Sequence, residues 1–222
     1  MKDGVKVSAE DATRIESQTR SQGSSTEWIS QGEWRLTASK FGEIVKTTAR
    51  RDLEKFCESL YDPPNLINVP AVRHGRTYEA TALEKFSEVT GKKLLQSGLC
   101  IHPDFPYLGA SPDSFVQDED AVVEIKCPYK SRKCKIDAGE DIDFLERVGD
   151  CLRLKRGHNY YYQLTGQMKL AQKNHCYFCV YTFEDSFFEK ITLDNEFFMN
   201  TMLPKLKAFY DNVYYPYVAS KL

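Results

Sequence analysis

The run AVVEIKC, residues 121–127, constrains this chain more than any other stretch. It is rich in β-branched residues and reads as a strand. Alternate side chains of a strand share a face. Val122, Glu124 and Lys126 therefore point one way, and Val123, Ile125 and Cys127 the other. The second set belongs to a core. The first set begins apolar and becomes charged, as expected where a strand leaves the core and enters a cleft. A fold that accepts this strand needs a covered sheet with a polar cleft at one end.

The segment just before it, LGASPDSFV (108–116), contains a Ser-Pro-Asp turn, and QDED (117–120) closes a hairpin onto 121–127. Asp113 is thereby brought towards Glu124. Two carboxylates held together repel unless a proton or a cation intervenes. Hard oxygen ligands of this kind suit Mg²⁺ or Mn²⁺. A solvated edge strand can show the same Glu-x-Lys spacing, so the pair does not decide the function alone.

Other segments fall around this hairpin. Ser8 and Asp11 stand at capping-box spacing and predict a helix near 9–19. A Ser/Gly-rich link, RSQGSST, follows, so residues 1–26 read as a helical and polar leader and 27–222 as the main domain. A helix is expected from Ser39, with Phe41, Ile44 and Val45 as its apolar stripe. Pro63 and Pro64 of YDPPNLINVP interrupt it. A second helix is expected over 71–90, with Glu79 on the face of Val72, Gly75, Leu83 and Phe86. Strands are expected at 98–102, 107–116 and 121–127, then a polar loop over 130–157. A helix at 159–173 carries Gln163 on one face with Gln167 and Leu170. Strands at 175–183 and 186–192 and a closing helix near 195–212 complete the chain. The fold class is mixed α/β (α+β), a central mixed sheet flanked by helices.

Charge sets few limits. Thirty Lys and Arg face 32 Asp and Glu, for a net charge of -2, so binding to a polyanion must come from local patches. KTTARR (46–51), YKSRKCK (129–135) and RLKRGH (153–158) are such patches. Tyr160, Tyr161 and Tyr162 offer stacking or packing faces. Seven cysteines and no secretory signal imply reduced thiols and an intracellular location, the cytoplasm or nucleus of a host cell. Cys176 and Cys179, set among Tyr, Phe and Val, read as buried strand residues rather than zinc ligands. No apolar run approaches the ~20 residues that span a bilayer.

Five pieces in order, RLTASKFG (35–42), HGRTYE (74–79), LGASPDS (108–114), VEIKCP (123–128) and YYYQLTGQM (160–168), carry a resemblance. The chain resembles the lambda-exonuclease or YqaJ-type viral recombinase group of the PD-(D/E)xK nuclease superfamily, from about Trp28 to the last helix. The resemblance implies a restriction-endonuclease-like core. It implies a metal-dependent DNA exonuclease that resects linear duplex DNA from its 5′ end in recombination, replication or repair. By motif, Asp113, Glu124 and the Ile125 carbonyl would hold Mg²⁺ or Mn²⁺, as one or two ions. Glu79 would hold a second ion or its waters. Lys126 would orient the attacking water, and Gln163 would position the nucleophile or the strand backbone. Ser39 and Ser111 would bind a terminal 5′-phosphate. The family's phosphate-binding Arg falls near Gly32 here, leaving Arg35 or Arg20 to substitute. Implied partners are duplex DNA ends, a single-strand annealing protein and a further two copies in a homotrimer, with no membrane. A related endonuclease, a Cas4-like end processor and a DNA-binding module without catalysis are the alternatives.

Overall fold

Strand β5 (Ala121–Lys126) lies third of five in the main sheet, flanked on both sides, as its apolar content requires. The structure, a computed structural model, describes residues 5–137 and 142–221. The sheet order is β2 (Leu94–Leu95), β4 (Ser114–Val116), β5, β8 (His175–Tyr181) and β9 (Ser186–Thr192). Strands β5 and β8 run parallel, with Glu124 opposite Phe178 and Lys126 opposite Val180, and the other pairs are antiparallel. This is the mixed sheet expected.

Each face of the sheet receives one long helix. Helix α5 (Pro70–Thr90) packs Ala82 and Phe86 on Val123, Ile125 and Cys179. Proline at its first turn costs no hydrogen bond, and Gly91 ends it with φ 70°, a left-handed conformation that favours glycine. Helix α6 (Asn159–Leu170) packs Tyr161, Leu164 and Met168 on Val122, Cys176 and Phe178. The His158 side chain caps it by accepting from Tyr160 N. Helix α3 (Ala38–Val45) crosses α6 so closely that a Cβ on Gly166 would stand 2.5 Å from the Phe41 ring. A third layer of apolar side chains joins α3 and α4 (Leu53–Tyr61) to the C-terminal helical run. That run passes through α7 (Asn195–Phe197), α8 (Leu203–Phe209) and α9 (Tyr215–Ala219), with two π-type segments between them.

The leader is built into the fold. Helix α1 (Ala9–Gln18) carries the expected capping box, and its Ile15 packs on Leu99 and Ile101. Thr19 Oγ1 accepts from Leu99 N at 2.7 Å, and Glu16 Oε1 from Gly98 N at 3.0 Å.

Several expectations are corrected. Residues 98–102 form no strand and contribute one isolated bridge, Cys100 to Ala110. The stretch 107–116 breaks into β3 (Leu108–Gly109) and β4, because the Pro112 turn interrupts the ladder, and β3 pairs in parallel with β1 (Leu36–Thr37). Helix α2 (Thr26–Glu33), capped by Ser25, occupies part of the supposed link and domain start. Within 130–157, where 138–141 lie outside the described residues, a hairpin forms from β6 (Leu145–Val148) and β7 (Cys151–Leu154). Glu189 anchors it by accepting from Leu154 N at 2.8 Å. Among the described residues no helix is long and apolar enough to cross a membrane.

Candidate active site

The strand alternation of β5 delivers Glu124 and Lys126 to the α6 face, where two glutamines one turn apart meet them. Glu124 is 3% exposed, and both its oxygens are engaged. Its Oε1 accepts from Lys126 Nζ and from Gln163 Nε2, each at 2.6 Å. Its Oε2 accepts from Gln167 Nε2 at 2.7 Å. Gln163 Oε1 also accepts from Lys126 Nζ at 3.3 Å, and the ammonium lies 4.4 Å from the centre of the Tyr160 ring. Burial alone would lower the Lys126 pKa. Glu124 and Asp113 outweigh it and hold the ammonium above its ordinary value.

Asp113 follows the Pro112 turn, and its Oδ2 accepts from Ile125 N at 2.6 Å. Burial, then the charges of Glu124 and Glu79, raise its pKa well above the usual carboxylate value. Glu79 sits on α5 with its side chain exposed to solvent, which corrects its expected place on the buried stripe; Ala82 and Phe86 take that stripe. Loss of part of its hydration and repulsion from Glu124 still raise the Glu79 pKa. Helix, turn and strand thus direct Glu79, Asp113 and Glu124 at one another across the end of the sheet.

Among the described residues no group of three or more His, Cys, Asp or Glu is drawn into a coordination cluster. Lys126 occupies one Glu124 oxygen, Oε1. The donor set nevertheless fits a hard divalent cation: three carboxylates in mutual repulsion, Glu124 among them buried, with the Lys126 ammonium and the Arg76 guanidinium as the cations acting on them.

Gln167 is the residue whose importance sequence reasoning missed. It is 1% exposed, and its Nε2 lies 3.4 Å from the Ser111 carbonyl as well as on Glu124. It ties the Asp113 turn to Glu124. Its i,i+4 spacing from Gln163 was the available signal. Ser111 Oγ in turn accepts from Trp28 Nε1 at 2.8 Å. Trp28, Gly32, Arg35, Ser39 and Tyr61 line a cavity of about 490 Å³. Ser39 is exposed there, 3.4 Å from the Thr37 hydroxyl. Arg35 lines the cavity but is engaged within the chain. It is 4% exposed and donates to Pro106 O, Gln31 O and Gln31 Oε1. Burial lowers its pKa to about 10, so it stays charged near neutrality. Arg20 pairs with Glu16 and lines a different cavity with Leu94, Leu95 and Asp118.

The basic patches are largely engaged within the chain. Arg51 pairs with Glu43, Arg153 with Glu189 and Arg156 with Asp194. Cys176 and Cys179 are buried in β8.

The model of the YqaJ-like viral recombinase domain matches residues 27–174, the span that holds Glu79, Asp113, Glu124, Lys126, Gln163 and Gln167. The chain belongs to this family. The match begins at α2 and ends just before β8. No curated protein matches the chain. Among solved structures, this YqaJ-like chain is similar to an alkaline exonuclease, LHK-Exo, from Laribacter hongkongensis. The TM-score is 0.67 at 22% identity, covering 89% of this chain and 96% of that one. A phage-related exonuclease from Haemophilus somnus aligns with TM-score 0.56 at 13% identity, covering 84% and 95%. A SOX protein bound to DNA aligns with TM-score 0.56 at 12% identity, covering 94% and 72%. At these identities the likeness establishes the fold.

Proposed function

We propose that this YqaJ-like chain is a metal-dependent DNA exonuclease. It hydrolyses phosphodiester bonds of linear duplex DNA, 5′ to 3′, in recombination, replication or repair. The observation that carries this reading is Glu124, held on both oxygens by Lys126, Gln163 and Gln167 beside a half-buried, repelled Asp113. The names of the structural relatives, exonucleases and a DNA complex, support the same chemistry.

Mg²⁺ or Mn²⁺, as one or two ions, would be held by Asp113, Glu124 and the Ile125 carbonyl, with Glu79 serving a second ion or its waters. Such an ion neutralises phosphate charge and makes bound water acidic enough to attack near neutral pH. Lys126 is held protonated, so its part is to steady developing negative charge and orient water, not to take a proton. Gln163 fixes Lys126 against Glu124 and faces the incoming strand. Ser39 and Ser111 are the proposed hydroxyl ligands of a DNA end, with Trp28 orienting Ser111. Because Arg35 is engaged with backbone, dependence on a 5′-phosphate is expected to be weak. A homotrimer and a single-strand annealing partner belong to the same reading, and sedimentation velocity tests the first.

The test is digestion of end-labelled linear duplex, with and without a 5′-phosphate, beside a closed circle. Loss of label from the 5′ end with the circle spared is expected. Nicking of the circle would replace the exonuclease by an endonuclease.

A further inference from the structure

Four rings from three separate segments meet, two of those segments being the ones that carry Glu79 and Lys126. His74 and Tyr78 stand one turn apart on α5, and Tyr78 precedes Glu79. Tyr129 lies three residues beyond Lys126. Phe183 projects from the turn between β8 and β9. His74 is central, with ring centres 4.7 Å from Tyr78 and 5.6 Å from both Tyr129 and Phe183. Tyr78 and Phe183 meet edge to face at 4.8 Å.

Core packing does not account for this group. None of these rings belongs to the main apolar clusters among the described residues. Phe183 is 42% exposed, an aromatic face left in water. His74 is 7% exposed, yet its Nε2 has no hydrogen-bond partner among the described residues. A buried ring nitrogen without a partner costs free energy that a ligand can return. The Arg132 guanidinium stacks 4.1 Å from the Tyr129 ring centre and adds a cation to the same wall. Exposed aromatic faces beside a cation are what stack the bases of single strands, without regard to sequence.

We propose that His74, Tyr78, Tyr129 and Phe183 form a stacking site for one unpaired nucleobase of the strand whose phosphodiester lies at Glu124 and Lys126. This deepens the nuclease reading and rests on it. The substrate held at the cut is then a frayed or single-stranded end, and the site prefers no particular base.

The test uses the full chain carrying Lys126→Ala, in EDTA, so that binding is read without cutting. Oligonucleotides carry 2-aminopurine at successive positions from a single-stranded end. One position is expected to show stacking-induced quenching. Adding Phe183→Ala should abolish that quenching and weaken single-strand binding roughly tenfold. Phe183→Trp should keep both, and blunt-duplex binding should change little. Phe183 is exposed, so a melting curve close to the parent's is expected. Unchanged quenching and affinity in Phe183→Ala would overturn the proposal. So would an affinity loss with quenching retained, because the ring would then act on the backbone. Cutting by the wild-type chain is read in the separate digestion, so failure of the nuclease reading and failure of the stacking site remain distinguishable.

Discussion

At the residue scale, the site depends on holding one carboxylate by three donors. Gln167 is the donor with no exposed surface to serve otherwise, and carboxylate ligands of metals lose affinity when such partners are removed. Gln167→Leu should weaken Mn²⁺ binding about 10–100-fold. Isothermal titration measures it, and unchanged affinity would confine Gln167 to packing. Lys126→Ala should abolish cutting with ion binding largely kept. Asp113 makes a pH prediction. Its native pKa is raised, chiefly by burial, so the native state binds its proton more tightly than the unfolded chain does. The stability it contributes is full below the ordinary value of 3.8 and is lost as pH rises through the raised one. Glu79 acts with the same sign. In EDTA the melting temperature should fall as pH rises above 3.8 towards neutrality, and the fall should shrink in Asp113→Asn. Equal pH slopes in the two proteins would contradict this.

At the element scale, the legible parts were those with strong local signals. The alternation in 121–127, the capping box at Ser8 and the apolar periodicity of 71–90 each appear as the element expected. The elements missed lacked such signals or were overridden by tertiary contacts. Residues 98–102 are apolar enough for a strand, but they turn their backbone to the leader, where Thr19 and Glu16 take the N–H groups of Leu99 and Gly98. The β6–β7 hairpin buries only Leu145 and Leu154 of its strand residues, and it is also tied to Glu189, thirty-five residues on, which accepts from Leu154 N. Arg35 lay in a motif and was assigned to phosphate; only the fold reveals that Pro106 O lies within its reach. The α3–α6 contact is equally invisible in sequence and carries a prediction. Gly166→Ala would place a methyl 2.5 Å from Phe41. It should destabilise the fold by about 1–3 kcal/mol, read as a lowered denaturation midpoint. An unchanged midpoint would show that α3 can yield at this crossing.

At the scale of the whole molecule, a nearly neutral chain brings three interacting carboxylates together at one place. Two helices enclose the sheet on both faces, and its polar end receives three acids and one ammonium from a helix, a turn and a strand. The family match spans both helices and the strands up to β5, and the similar alkaline exonuclease aligns over most of its length. The most direct test of this account is single-turnover cleavage of end-labelled linear duplex by wild type and by Glu124→Ala, in Mg²⁺ and in EDTA. Cleavage only by wild type with Mg²⁺, and by neither protein in EDTA, is the predicted result. Cleavage by Glu124→Ala at the wild-type rate would place the chemistry elsewhere in the molecule.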